Sequence, residues 1–168
     1  MLETITDGIL EPVFDPLSRY RFDTTWRFLA PIKRIWDEIY DFQQWPAWWK
    51  GVQSATRAPG AQGKGGRIVW NAPMGYAVVT TFRPTLIEVP CRLGGLFSGD
   101  LEGTGSWTLS MRGGITTARY LFEVRTTRPW VKLLSPVARP LFIWNHDQLM
   151  RQGAEGLARH LGVELLSK

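Results

Sequence analysis

One cysteine and two histidines are the chain's whole stock of thiol and imidazole chemistry. A lone Cys91 excludes an internal disulfide, and it follows Pro90 in an expected bend with no base beside it, so it reads as an idle or buried thiol. His146 and His160 stand 14 residues apart. With one isolated cysteine they match no metal-ligand spacing, so neither a metal nor a cofactor is expected. The glycine-rich stretch Pro59–Gly66 is not a phosphate-binding loop, because Gly63-Lys64 is followed by Gly65 where Ser or Thr is needed. No apolar run reaches the ~18 residues of a membrane span, and no basic region followed by an apolar run opens the chain, so a cytoplasmic protein without stable membrane insertion is expected. Internal repeats and low-complexity tracts are missing as well.

What is abundant is aromatic: 9 Trp, 8 Phe and 4 Tyr in 168 residues. Large inward side chains or an apolar pocket account for such a content. The 20 basic and 15 acidic side chains leave a net charge of +5. The bases are scattered, with Lys33–Arg34 the one adjacent pair, so the charge reads as solubility and not as a nucleic-acid surface. Residues 1–18 carry Glu3, Asp7, Glu11 and Asp15 and no base. This extended acidic lead-in either lies against the basic body or stays unattached. The whole chain, 1–168, is expected to form one domain with its core in 20–162, as a monomer or homodimer.

Period decides the elements. Tyr20, Phe22, Thr24, Trp26 and Phe28 alternate with polar residues, the mark of a strand with one buried face. Ala30-Pro31 ends it, and Ile32, Ile35, Trp36 and Ile39 recur at helical spacing to about Tyr40. Asp41 is placed to cap a second short helix that holds Trp45, Trp48 and Trp49 and closes at Gly51; these tryptophans are expected to anchor it. Val52–Ala58 is a strand, and Arg67–Ala72 and Tyr76–Arg83 form a hairpin around Pro73-Met74-Gly75. Leu86–Val89 and Arg92–Ser98 read as one strand interrupted at Pro90. Leu101, Gly103, Gly105, Trp107, Leu109 and Met111 alternate inward, and after Arg112-Gly113-Gly114 so do Tyr120, Phe122 and Val124. Bare glycines beside Trp107 imply a concave sheet or open space. Pro129 ends the last strand, Trp130–Leu134 begins a helical region, and Pro136 and Pro140 are expected to kink or divide it before the long segment Leu141–Gly162. In that segment Phe142, Ile143, Leu149, Met150, Leu157 and Leu161 make one stripe, with His146 near its centre and Gly153 leaving room within it. The sum is an α+β fold: about seven antiparallel strands curved around one long C-terminal helix, with two short helices after the first strand.

The chain resembles the START/Bet v 1-like superfamily, which has this helix-grip fold, and within it the polyketide cyclase/dehydrase and lipid-transport branch. The resemblance rests on WRFLAPIKRIW (Trp26–Trp36), DFQQWPAWWKG (Asp41–Gly51), GDLEGTGSWTL (Gly99–Leu109) and WNHDQLMRQGAEGL (Trp144–Leu157). It implies an apolar cavity between sheet and helix for a lipid, polyketide or other hydrophobic small molecule, and it carries over no catalytic set. His146 is then a structural histidine, a ligand contact or an acid/base. Asp147, about 100° round the helix, is expected on the flank and not in a dyad with it. Tyr120, Tyr76 and Thr24 have inward parity and would offer hydroxyls, while Trp107, Phe122, Met150 and Gly153 would form wall. Three functions remain open: a binder of a hydrophobic ligand, a cyclase- or dehydratase-type enzyme using His146, and an interaction module of the chaperone-activator kind.

Overall fold

A computed structural model describes residues 19–58, 65–71, 75–128 and 135–168. The acidic lead-in, residues 59–64 of the glycine-rich loop, residues 72–74 of the middle hairpin turn and the stretch 129–134 lie outside the described residues.

Strand β1 (Arg19–Leu29) shows the alternation its sequence prescribes, with Tyr20, Phe22, Trp26 and Phe28 buried and arginines, Asp23 and Thr25 outside. Pro31 then opens helix α1 (Ile32–Tyr40), which buries Ile35, Trp36 and Ile39. A 3-10 turn at Phe42–Gln44 leads into the single turn α2 (Trp45–Trp48). Asp41 makes no side-chain cap there; its carboxylate lies 3.8 Å from Arg57 instead. Trp45, Trp48 and Trp49 are all buried, so they anchor this segment.

Six strands follow: β2 (Val52–Arg57), β3 (Gly66–Asn71), β4 (Ala77–Glu88), β5 (Arg92–Gly99), β6 (Leu101–Arg112) and β7 (Ile115–Thr126). Helix α3 (Ser135–Leu161) and a short strand β8 (Glu164–Ser167) complete the chain. One curved, unclosed antiparallel sheet results, in the order β2-β3-β4-β5-β6-β7-β1-β8. Consecutive strands pair as neighbours from β2 to β7, and β1 then closes on β7 along its whole length, Arg19 opposite Arg125 through Leu29 opposite Ile115. Asp100, between β5 and β6, ties this surface together. It accepts from the Val79 amide at 2.8 Å and from Arg128 Nη2 at 2.6 Å.

Several expectations need correction. Leu86–Glu88 belongs to β4 and not to the strand after it. Residues 89–91 reverse the chain, with the Cys91 amide donating to Glu88 O at 2.7 Å. Pro90, which has no amide to offer a ladder, sits in a hairpin turn and not in an interrupted strand. Cys91 is exposed there. The eighth strand was not anticipated: β8 is four residues long, and Leu165 is its one half-buried position facing Phe28. Pro140 does not divide the C-terminal helix. As its sixth residue, it forfeits a single backbone hydrogen bond, and the first four amides of any helix have no acceptor in it. Met111 is exposed because it lies next to the β6–β7 turn, past the packed layer. Ile143 is exposed because it shares the solvent flank of α3 with Asp147, one turn on.

The core is what the aromatic content promised. Trp26, Trp49 and Phe28 are almost fully buried, and Met150, Ala154, Leu157 and Ala158 of α3 lie on the sheet and on α2. Gly153 and Gly156 form a notch one turn long in α3. A Cβ at Gly153 would stand 2.6 Å from Cε2 of Trp49, and one at Gly156 would stand 1.9 Å from Trp48 O. Gly153 therefore leaves room, but the Trp49 indole fills it, held by a 2.7 Å hydrogen bond from its Nε1 to Leu149 O.

Candidate functional site

Between α3 and the sheet two small cavities remain. The larger, about 60 Å³, is lined by Trp45, Trp49, Trp70, Val78, Leu101, Trp107, Tyr120, Phe122, Phe142 and Met150, with Asn71, Asn145, His146 and Leu149. The smaller, about 30 Å³, reaches toward Phe82, Ile87, Leu93 and Phe97. Trp45, Trp107 and Tyr120 line both and so form the partition between them. Tyr120 stacks on Trp107 at 4.5 Å between ring centroids. The bare Cα of Gly105 makes this possible, since a Cβ there would meet both the Phe97 ring and Tyr120 Oη at 2.6 Å.

His146 projects from α3 into this aromatic wall and is 6 % exposed. Its ring lies flat on Phe22, with centroids 3.6 Å apart and planes 11° from parallel. Burial lowers its pKa to about 4, and the Asp147 carboxylate only partly opposes this. At neutral pH the ring is therefore uncharged, with one N–H to donate and one lone pair to accept. Neither nitrogen has a hydrogen-bond partner among the described residues. Asp147, 62 % exposed at its side chain, stands 3.7 Å from Nδ1, beyond hydrogen-bonding distance, so the two do not act as a dyad. Unpaired polar atoms buried in protein cost ~1–3 kcal/mol each. Trp26 Nε1 and Trp48 Nε1 share that condition, but neither residue lines either of these two cavities.

The other residues singled out from sequence divide into two groups. Trp107, Tyr120, Phe122 and Met150 line the same cavity as His146. Burial pushes the Tyr120 phenol far above its usual pKa, so it stays protonated. Thr24, Tyr76 and Gly153 do not line it. Thr24 opens onto an outer groove with Thr25, Asp147, Arg151 and Lys168, and Met150 separates that groove from the cavity. Tyr76 packs on the cluster of Tyr20, Phe22, Val78, Leu101 and Val124 and is not among the residues that line the cavity. Gly153 is covered by Trp49. Sequence reasoning missed Asn71 and Asn145 in the lining. Asn145 lies at the edge of the α3 stripe, where a carboxamide reads as solvent-facing. Among the described residues no three metal-ligating side chains converge, and no helix is long and apolar enough to cross a membrane.

Comparison with known proteins agrees with this architecture. The ZhuI aromatase/cyclase from Streptomyces sp. R1128 superposes with a TM-score of 0.71 at 12% identity, over 84% of this chain and 93% of that one. A START superfamily protein from Mycobacterium smegmatis gives 0.66 at 13% identity, over 84% and 98%. The di-domain aromatase/cyclase BexL of the BE-7585A biosynthetic pathway gives 0.67 at 20% identity, over 87% of this chain and 51% of its own, so the present chain spans about half of that protein. At these identities the likeness is one of fold, the helix-grip fold of the START superfamily. No curated protein matches by sequence. Residues 19–162 match the family of polyketide cyclases/dehydrases and lipid-transport proteins, and the chain belongs to that family.

Proposed function

We propose that this protein binds a hydrophobic small molecule, lipid- or polyketide-like, between the sheet and α3, and that His146 holds the molecule's one buried polar group. The observation that carries this is a neutral imidazole inside an aromatic cavity, its two nitrogens without hydrogen-bond partners among the described residues. A ligand hydroxyl or carbonyl would satisfy one of them. Pockets for drug-sized ligands hold roughly 300–1,000 Å³, far more than the 60 and 30 Å³ present. The two spaces together come to only about 90 Å³, so binding has to part the Trp45–Trp107–Tyr120 partition and also push back further lining side chains. The family and the aromatase/cyclase likeness support a ligand of polyketide or lipid character.

The test is a fluorescence titration with N-phenyl-1-naphthylamine, with 2-naphthol and naphthalene as competitors. In the wild type 2-naphthol is expected to displace the probe about tenfold better than naphthalene, the worth of one buried hydrogen bond. In His146→Leu that advantage disappears. Absence of saturable probe binding would overturn the cavity reading, and an undiminished advantage in His146→Leu would remove His146 from it.

A cyclase- or dehydratase-type enzyme is the second reading, favoured by one observation: a neutral imidazole and a protonated phenol line the same cavity. The first would abstract a proton and the second would steady an enolate. Native mass spectrometry of freshly purified protein separates the two. A stoichiometric apolar adduct supports a carrier, and a clean apo mass shifts weight to turnover.

A further inference from the structure

On the outer side of the cavity wall lies an open groove of about 350 Å³, lined by Lys50, Gly51, Asn71, Trp144, Asn145, Gln148, Leu149 and Gln152. Three of these residues, Asn71, Asn145 and Leu149, also line the inner cavity. They form a wall one side chain thick between an apolar interior and this polar vestibule.

The vestibule's chemistry is specific. Four carboxamides converge from two elements, Asn71 at the end of β3 and Asn145, Gln148 and Gln152 along α3 at a spacing that keeps them on one helix face. Lys50 is its single charge and makes no ion pair among the described residues, and no carboxylate is among the described residues that line it. The site stands on fixed backbone. Asn71 Nδ2 donates to Lys50 O at 3.0 Å, and the Asn71 amide donates to Gly51 O at 2.8 Å, which locks the turn carrying Lys50 to β3. Trp144, 55 % exposed, offers a ring face at the rim.

We infer that this vestibule receives the head of an amphiphilic ligand, a carboxylate, whose apolar part occupies the inner cavity. The inference rests on the cavity reading above and names the ligand class more narrowly. One ammonium group among neutral amides balances one negative charge, so a monoanion fits better than the dianion of a phosphate monoester. The amides contribute N–H donors to both carboxylate oxygens. Leu149 and Asn145 swing aside to join head and tail sites, and Leu149 is only half-buried.

The experiment compares 4-(1-pyrenyl)butanoate with 4-(1-pyrenyl)butanol, which share a tail and differ in the head. Wild-type protein is expected to bind the acid about fivefold more tightly than the alcohol, the upper range for an exposed ion pair, with the preference shrinking as salt rises. Lys50→Met abolishes the preference by weakening binding of the acid, while Lys50→Arg retains it. If the wild type binds both equally, or Lys50→Met keeps the preference, the vestibule inference fails and the cavity reading stands. If neither compound binds, the cavity reading falls and takes the inference with it.

Discussion

Gly153→Leu is expected to lower the melting temperature by about 10 °C, whatever it does to ligand binding. A Cβ at this position would lie 2.6 Å from Trp49 Cε2 and 2.8 Å from its Nε1, before any further leucine carbon is added. Trp49 has nowhere to retreat. It is 2 % exposed, its Nε1 is bound to Leu149 O, and its ring is packed by Trp26, Trp45, Trp48 and Trp70 at 5.2–5.6 Å between centroids. Overpacking of this kind costs ~3 kcal/mol or more, and each kcal/mol moves the midpoint of a chain this size by roughly 2–4 °C. Gly153→Ala gives the sharper test. In an exposed helix that change stabilises by ~1 kcal/mol; here it should destabilise. Combining it with Trp49→Phe should recover part of the loss, as expected for residues in contact. A stable Gly153→Ala protein would show that the notch is not filled.

That outcome also locates the boundary of what the chain declares by itself. Short-range signals were legible: the alternation of β1, the helical spacing of Ile32–Tyr40 after Pro31, and the amphipathic α3 with His146 on its buried stripe. Each depends on residues a few positions apart. Whether Gly153 borders a cavity depends on Trp49, 104 positions earlier, and no local pattern links the two. The same holds for Gly105, whose missing side chain makes room for Phe97 and Tyr120. Pro90 was ambiguous for another reason, since a proline that breaks a strand and one that turns a hairpin leave similar traces. Asn145, Gln148 and Gln152 read as a solvated helix face. They become a polar vestibule only because Lys50 and Asn71 are brought against them by the β2–β3 pairing and the turn before it.

Acidification is expected to destabilise the wild type by about 3 kcal/mol through His146 alone. The ring's pKa falls from the ordinary 6.5 to about 4 on folding. Between those values the unfolded chain binds a proton that the native protein refuses. Stability from this group is therefore complete above pH 6.5, is lost as pH falls from 6.5 to about 4, and changes no further below that. A shift of this size corresponds to ~3 kcal/mol at 1.36 kcal/mol per pH unit. Among the described residues Asp147 is the one charged group beside the ring, and the faces packed against it, Phe22 of β1 and Phe122 of β7, bring no charge. Urea unfolding at pH 7.5 and pH 4.5 measures the effect, with His146→Leu supplying the baseline for the carboxylates. The variant should lose about 2–3 kcal/mol less than the wild type over that interval. At pH 7.5 it should be at least as stable as the wild type, because leucine removes two buried nitrogens that have no hydrogen-bond partner among the described residues. A variant several kcal/mol less stable at pH 7.5, with an unchanged pH dependence, would mean that the imidazole is a structural member of the core. Saturating ligand adds a second readout. If a ligand group donates to the neutral ring's lone pair, the wild type's acid sensitivity deepens on binding, because protonation removes that acceptor and so costs the complex as well as the fold, and His146→Leu shows no such increment.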